Sequence, residues 1–178
     1  VNIDCALREC LVWTKISSAN ISLRMKKQGI FFSDAAPGVF AKREALYYLL
    51  ALLNTKCANE IIKLINPTLN FVPGAISSVP VKEDKKSKER VLEIAEKNVR
   101  LSTQDWDSFE TSWDFKTHPL VRCKSFPPKE VAEDAKHYIV DMNMIQEAFT
   151  NWSNECYLRF EKLKANEEEL NRIFIDIY

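Results

Sequence analysis

The sequence is poor in glycine and histidine, and both shortages limit the functions open to it. Its 178 residues include 3 glycines, Gly29, Gly38 and Gly74, which stand too far apart to build a glycine-rich loop for a phosphate or nucleotide. The 2 histidines, His118 and His137, have no Cys or His partner at ligand spacing. We therefore expect neither a metal site nor a Cys–His catalytic pair in this chain.

Paired cysteines, long apolar runs and an N-terminal signal are also missing. The 5 cysteines are an odd number at wide spacings and include no Cys-x-x-Cys pair, which predicts reduced thiols and a cytoplasmic protein. No apolar run approaches the roughly 20 residues of a membrane span, so we expect no membrane partner. The chain starts without Met and stops abruptly after an apolar segment, so we expect both ends to be cuts in a longer chain.

The charge of the chain is balanced overall but unevenly distributed. Lys and Arg number 25, as do Asp and Glu. Residues 1–90 contain 14 basic and 8 acidic residues, whereas residues 91–178 contain 11 basic and 17 acidic residues. This asymmetry favours a basic binding lobe joined to an acidic helical body.

Residues 1–81 are predicted to form a small mixed α/β lobe. Residues 30–32 are a short strand candidate, and residues 34–38 a turn. Apolar residues spaced by three and four predict one helix over residues 43–65, which Asn66 and Pro67 end. Residues 70–81 are predicted to be extended. Together with the helical region that follows it, this lobe gives an expected fold class of α+β, mainly helical.

Residues 82–178 are predicted to form a helical spacer, with a helix over about 87–101, an aromatic excursion over 102–128 and a long helix over about 129–177. Alternate steps of four and three from Val131 give an almost wholly apolar heptad seam along the long helix. This seam predicts an antiparallel coiled-coil-like pairing with the 87–101 helix. Asn166 in this seam either fixes the register or marks a break. The seam comprises Val131, Ala135, Tyr138, Met142, Ile145, Phe149, Trp152, Cys156, Arg159, Leu163, Asn166, Leu170, Ile173 and Ile177.

Several segments resemble a known family. Residues 47–56, 64–71 and 76–81 resemble the end of a target-recognition domain, as found in type I specificity subunits and single-chain adenine methyltransferases. The segment DWDSFETSWDF at residues 105–115, followed by HPL at 118–120, resembles the PglX-type adenine-specific DNA methyltransferases of BREX phage-exclusion systems. Residues 171–178 resemble the segment that follows in the same family.

The resemblance implies that a parent protein transfers methyl from S-adenosylmethionine to adenine N6 and marks self DNA in phage defence. It implies double-stranded DNA, an upstream methyltransferase domain and other phage-defence subunits as partners. The chain itself has no D/N-P-P-Y/F motif, because Asn66-Pro67 continues with Thr68 and Leu69. We therefore expect no catalytic residue and no cofactor site here, and read Asn66-Pro67 as a helix stop.

Candidate DNA contacts concentrate in residues 15–28, which alternate small polar and cationic side chains. The same segment could equally be a solvated loop or hairpin. Two more cations lie at the start of the predicted helix and could approach a phosphate, or could simply be exposed. The candidates are Ser17, Ser18, Asn20, Arg24, Lys26, Lys27, Lys42 and Arg43.

Two other segments could be mistaken for binding sites. The lysines at 82, 85, 86 and 88 are interpreted as a solvated linker. The aromatic cluster from Trp106 to Phe115 is interleaved with acids that would repel phosphate, so we expect it to pack against protein rather than stack on bases. The alternative to DNA recognition is therefore a structural or protein-docking module of the same parent that does not touch DNA.

Overall fold

The computed structural model describes residues 5–123 and 142–178. It confirms a mainly helical α+β chain with a small sheet. In chain order the elements are β1 (Cys10–Trp13), β2 (Leu23–Lys26), β3 (Gly38–Val39), α1 (Arg43–Leu53), α2 (Lys56–Ile65), α3 (Pro73–Ser77), α4 (Lys88–Trp106), α5 (Pro119–Arg122) and α6 (Met142–Ile177).

The chain divides into two compact units, residues 1–99 with 165–178 and residues 100–164. Helices α4 and α6 each contribute residues to both. The start of α4 and the end of α6 supply core residues to the first unit.

The sheet is antiparallel, with β1 between β2 and β3. Leu11, Trp13 and Leu23 are buried against the helices of the first unit. The strand predicted at residues 30–32 is wrong. This apolar run is not paired in the sheet; instead Phe32 packs its ring on Phe40 at a centroid distance of 5.5 Å.

The single helix predicted over residues 43–65 is wrong, because the chain breaks between α1 and α2 at Asn54 and Thr55. The Asn54 side chain accepts the N–H of Leu23 at 2.8 Å and donates to its carbonyl at 3.1 Å. Thr55 then caps α2 by accepting the N–H of Ala58 at 3.2 Å. A tertiary contact to β2 therefore outweighs the continuous apolar periodicity.

The segment after α2 is partly as predicted. Helix α2 ends at Ile65 and Asn66 is its C-cap, which confirms that Asn66-Pro67 is a helix stop. The extended chain predicted over 70–81 is wrong in its middle, where Pro73 starts the short helix α3 and Ile76 is buried.

Residues 82–88 are not wholly a solvated linker. The Lys82 carbonyl accepts the Tyr48 hydroxyl at 2.8 Å, and the Lys82 ammonium donates to the Ile177 carbonyl at 3.2 Å. Lys88 pairs with Glu44 and Glu83, both at 2.9 Å. These bonds fasten the segment to α1 and to the end of α6, whereas Lys85 and Lys86 are exposed as predicted.

Burial along α6 does not confirm a coiled coil. The heptad seam predicts Phe149 and Ile173 in the core, but the most buried neighbours are Ala148 and Phe174, and Phe149 is 52% exposed. A straight helix of 3.6 residues per turn drifts away from a strict seven-residue repeat in this way. Helix α6 passes through Asn166 without a break. Its predicted start near residue 129 lies outside the described residues.

The second unit contains the end of α4, α5 and the first part of α6. Arg159 pairs with Asp105 at 2.9 Å, and Arg122 pairs with Glu155 at 2.6 Å. The His118 ring meets Trp152 edge-on at 5.4 Å. Residues 124–128 of the predicted aromatic excursion lie outside the described residues. Within the described part of the chain, no helix has the length and apolar character needed to cross a membrane.

Candidate nucleic-acid interface

The connection between β1 and β2 presents three of the predicted DNA-contacting residues. Ser18 and Asn20 are exposed, and Ser17 is half-buried. The Ser17 hydroxyl accepts the N–H of Ala19 at 3.1 Å, which holds the connection in a tight turn. The exposed residues of this turn therefore have a locally ordered backbone.

A second polar loop, residues 66–70 between α2 and α3, lies directly beside the first. The Ser17 N–H donates to the Leu69 carbonyl at 3.0 Å, and Ile16 forms an isolated antiparallel bridge with Asn70. Sequence reasoning missed this loop, because Asn66-Pro67 was interpreted only as a helix stop. We call the two loops together the polar rim; its members are Ser17, Ser18, Asn20, Asn66, Thr68 and Asn70.

Arg24 is the second residue of the edge strand β2, at the end that follows the β1–β2 turn. It is exposed and pairs in register with Val12 of β1, while its neighbour Leu23 turns into the core. Alternation of side chains along a strand explains this opposite placement. Arg24 is therefore the predicted cation best placed to meet a phosphate beside the rim.

Lys26 has a different environment from the other candidates. It is 7% exposed, and its ammonium donates to the carbonyls of Ile30 at 2.6 Å, Arg8 at 2.8 Å and Lys27 at 3.3 Å. Three carbonyl oxygens satisfy the three donors of an ammonium. In this arrangement the Lys26 ammonium links β2 to the segments before β1 and after β2. It is directed into the protein and away from solvent.

Lys42 and Arg43 start α1 at the far end of the sheet. The Arg43 guanidinium lies 4.0 Å from Glu9, which precedes β1, whereas Ser17 follows β1. The four-residue strand β1, roughly 13 Å long at about 3.3 Å per residue, lies between these two ends. Arg43 also donates to the Tyr47 hydroxyl at 3.3 Å, and this bond raises the Arg43 pKa.

Acidic residues of α1 and α4 surround Arg43. It shares a shallow cleft with Glu44, Glu93 and Glu96. Hydrogen bonds from Lys97 and then Arg90 lower the pKa of Glu93 to about 2, so this carboxylate is charged at neutral pH. Such a cleft disfavours a phosphate. Of the predicted contacts, Ser17, Ser18, Asn20 and Arg24 lie at the polar-rim end of the sheet. Lys26, Lys27, Lys42 and Arg43 lie away from the polar rim.

The three glycines of the described residues lie apart and do not line a common loop. A Cβ added to Gly29 or Gly74 would meet nothing within 4 Å, and one added to Gly38 would meet Cys10 Sγ and the Phe40 ring at 3.4 Å. Two glycines thus face open space and the third packs in the sheet. The described glycines therefore do not form the close backbone approach that a glycine-rich loop gives to S-adenosylmethionine. The described ranges also contain no cluster of three metal-ligating side chains.

Comparison with known proteins places the chain within a class. It is 36% identical over 172 residues, 96% of its length, to the "Adenine-specific methyltransferase PglX" of Lacticaseibacillus casei (strain Zhang). It is 32% identical over 126 residues, 69% of its length, to the "Adenine-specific methyltransferase BrxX" of Escherichia coli O9:H4 (strain HS). No protein-family model matches the chain.

The chain is therefore homologous to a segment of adenine-specific methyltransferases. Within that class its relatives include PglX and BrxX, which confirms the resemblance to PglX-type methyltransferases. The chain spans 13% of the length of the first of these proteins and 10% of the second.

Proposed function

We propose that this chain is the DNA target-recognition and spacer portion of a site-specific adenine-N6 DNA methyltransferase that acts in bacterial phage defence. The parent would work in the cytoplasm and use S-adenosylmethionine, which another part of it would bind. Duplex DNA, the upstream methyltransferase domain and further defence subunits are the proposed partners. Similarity to two adenine-specific methyltransferases over most of this chain supports the proposal.

The observation that carries a DNA-contacting role is the polar rim beside Arg24. Base edges are read by amide and hydroxyl groups, and phosphates are held by cations. Ser18 and Asn20 supply exposed groups of the first kind, and Arg24 supplies the second on the adjoining strand. Base reading and phosphate binding thus come from neighbouring residues of one turn and one strand.

The proposal is tested by the binding of this chain to a fluorescent duplex of about 30 base pairs, at roughly 50 and 200 mM salt. We expect binding that weakens as salt rises, because phosphate contacts release counterions. Arg24→Ala should weaken binding several-fold at low salt and make the salt dependence shallower. Arg100→Ala is the matched control, since Arg100 is also exposed but lies on α4 in the other unit.

Two outcomes would contradict the proposal. One is the absence of binding at low salt. The other is equal weakening by Arg24→Ala and Arg100→Ala, which would indicate a general charge effect rather than a site.

An exposed aromatic surface in the second unit favours the alternative, a docking module that does not touch DNA. Trp106 and Phe109 are half exposed and Trp113 is 99% exposed. The acids Asp107 and Glu110 are interleaved with these rings, so a basic surface of the methyltransferase part of the same polypeptide is the partner that fits. Trp113→Ala should then weaken the association of this chain with the separately produced methyltransferase part, and this chain should not bind a duplex at low salt.

A further inference from the structure

We propose that residues 66–70, the loop between α2 and α3, form a second base-contacting element beside the β1–β2 turn. In this proposal Asn70 contacts base edges by hydrogen bonding, and Leu69 does so by apolar contact. The inference rests on the proposed function, since it assigns a further specificity-determining segment to the same DNA surface.

The backbone of this loop is locked to the β1–β2 turn. The Ser17 N–H donates to the Leu69 carbonyl at 3.0 Å, and the Phe71 N–H donates to the Lys15 carbonyl at 2.7 Å. Trp13 adds a third bond from its indole N–H to the Phe71 carbonyl at 2.8 Å. A duplex that approaches the tip of one loop therefore meets the other loop in a fixed position.

The loop is also held rigid from within. The Asn66 side chain donates to the Asn70 carbonyl at 2.7 Å and accepts the Thr68 hydroxyl at 2.7 Å. The Thr68 hydroxyl in turn accepts the N–H of Asn70 at 3.2 Å. These bonds fix the Asn70 backbone and lower the ordering cost of binding. Asn66 and Thr68 are therefore positioning residues.

Asn70 and Leu69 remain available for a ligand. Asn70 is exposed, and its side-chain amide has no hydrogen-bond partner among the described residues. Leu69 is 61% exposed, and Ile16, the bridge partner of Asn70, is 67% exposed. An asparagine amide can bond both the N6 and N7 atoms of adenine, and an apolar side chain can contact the thymine methyl group.

The absence of charge within the loop argues for base reading over phosphate binding. Residues 66–70 read Asn-Pro-Thr-Leu-Asn and contain no cation. Phosphate contacts come mostly from Lys and Arg and carry no direct sequence information. A neutral loop that presents an amide and an apolar side chain beside the β1–β2 turn therefore complements the base edges rather than the backbone.

The test is a selection of duplexes from a random-sequence library of about 20 base pairs by this chain and its variants. Asn70→Ala should reduce the preference at one or two base pairs of the enriched sequence by about 10-fold and leave the salt dependence of binding unchanged. Leu69→Ala is a second variant that removes only an exposed side chain. Asn154→Ala is the matched control, because Asn154 is an exposed asparagine on α6 in the other unit. The thermal unfolding temperature of each variant should match that of the unsubstituted chain.

The outcomes separate the two proposals. If Asn20→Ala and Arg24→Ala alter binding while Asn70→Ala and Leu69→Ala leave the enriched sequence unchanged, the second element is overturned and the DNA-recognition function stands. If the chain enriches no sequence, or if no variant of either loop changes the enriched sequence, the target-recognition function fails as well.

Discussion

Asn166 of α6 donates a hydrogen bond from Nδ2 to Oδ1 of Asn98 of α4 at 2.7 Å, in a site where Asn166 is 3% exposed. Arg90 pairs with Glu169 on the same two helices at 2.6 Å. The paired residue numbers run in opposite directions, which is the antiparallel arrangement predicted from the sequence. Asn166 is buried and Asn98 is half-buried, so their amide pair favours the register in which these two side chains meet.

Asn166→Ala should destabilise the chain by about 1–3 kcal/mol, because it leaves the Asn98 amide without its partner in a partly buried site. The double variant with Asn98→Ala should cost less than the sum of the two single variants, since neither amide then remains to be paired. Urea unfolding of the four proteins measures this coupling. Additive losses would show that the two asparagines act independently.

Phe174→Ala should be more damaging, at about 3–5 kcal/mol, because it leaves a cavity in the core of the first unit. Its ring is fully buried and meets Tyr48 edge-on at 5.6 Å. Ile173→Ala is the control that separates the observed core from the predicted seam, since Ile173 is only half-buried. Equal losses in thermal unfolding would favour the heptad seam over the straight helix.

The contrast between Phe174 and Ile173 shows how far periodicity alone can reach. Apolar spacing predicted that α6 is a helix and that Asn166 faces the core, because both depend on local repeats. It did not predict which of two adjacent residues is most buried, because the end of α6 also packs on α1. Contacts between α6 and α1, which is distant in sequence, set the rotation of α6 about its own axis.

The same limit explains the errors in the lobe. The break at Asn54 depends on a hydrogen-bonding pair with Leu23, 31 residues away. The polar rim depends on the bridge between Ile16 and Asn70. Residue types made Ser18 and Asn20 candidates for base contact, but only the pairing of two distant segments brings Asn70 beside them.

Thr55→Ala should cost about 1–2 kcal/mol, because the hydroxyl both caps α2 and donates to the Leu52 carbonyl at 2.6 Å. Thr55→Ser should retain most of the stability, since it keeps the hydroxyl. Thr150→Ala on the exposed face of α6 serves as the control and should change stability by less than about 0.5 kcal/mol. Similar losses for Thr55→Ala and Thr150→Ala in urea unfolding would contradict the capping role.

Acid should weaken the first unit through Glu93. Its pKa is about 2 in the folded chain against a usual value of 4.5, so its ion pairs stabilise the fold above about pH 4.5. That contribution is lost as the pH falls through the folded pKa, and it is small because the pairs are exposed. Glu93→Gln should therefore lower the urea midpoint more at about pH 7 than at about pH 3. An equal difference at both pH values would contradict this assignment.

Lys26 and Arg24 lie two residues apart on β2, yet their substitutions should have opposite effects. Lys26→Met should destabilise the chain by about 1–3 kcal/mol, because three carbonyls lose a charged donor, and it should leave the DNA affinity of the folded protein unchanged. Arg24→Met should change stability by less than about 0.5 kcal/mol, as expected for an exposed position, and weaken duplex binding at low salt. Urea unfolding and fluorescence anisotropy on the same two proteins measure both effects. If Lys26→Met weakens DNA binding under conditions where it stays folded, Lys26 contributes to DNA binding and its assignment as a purely structural residue is wrong.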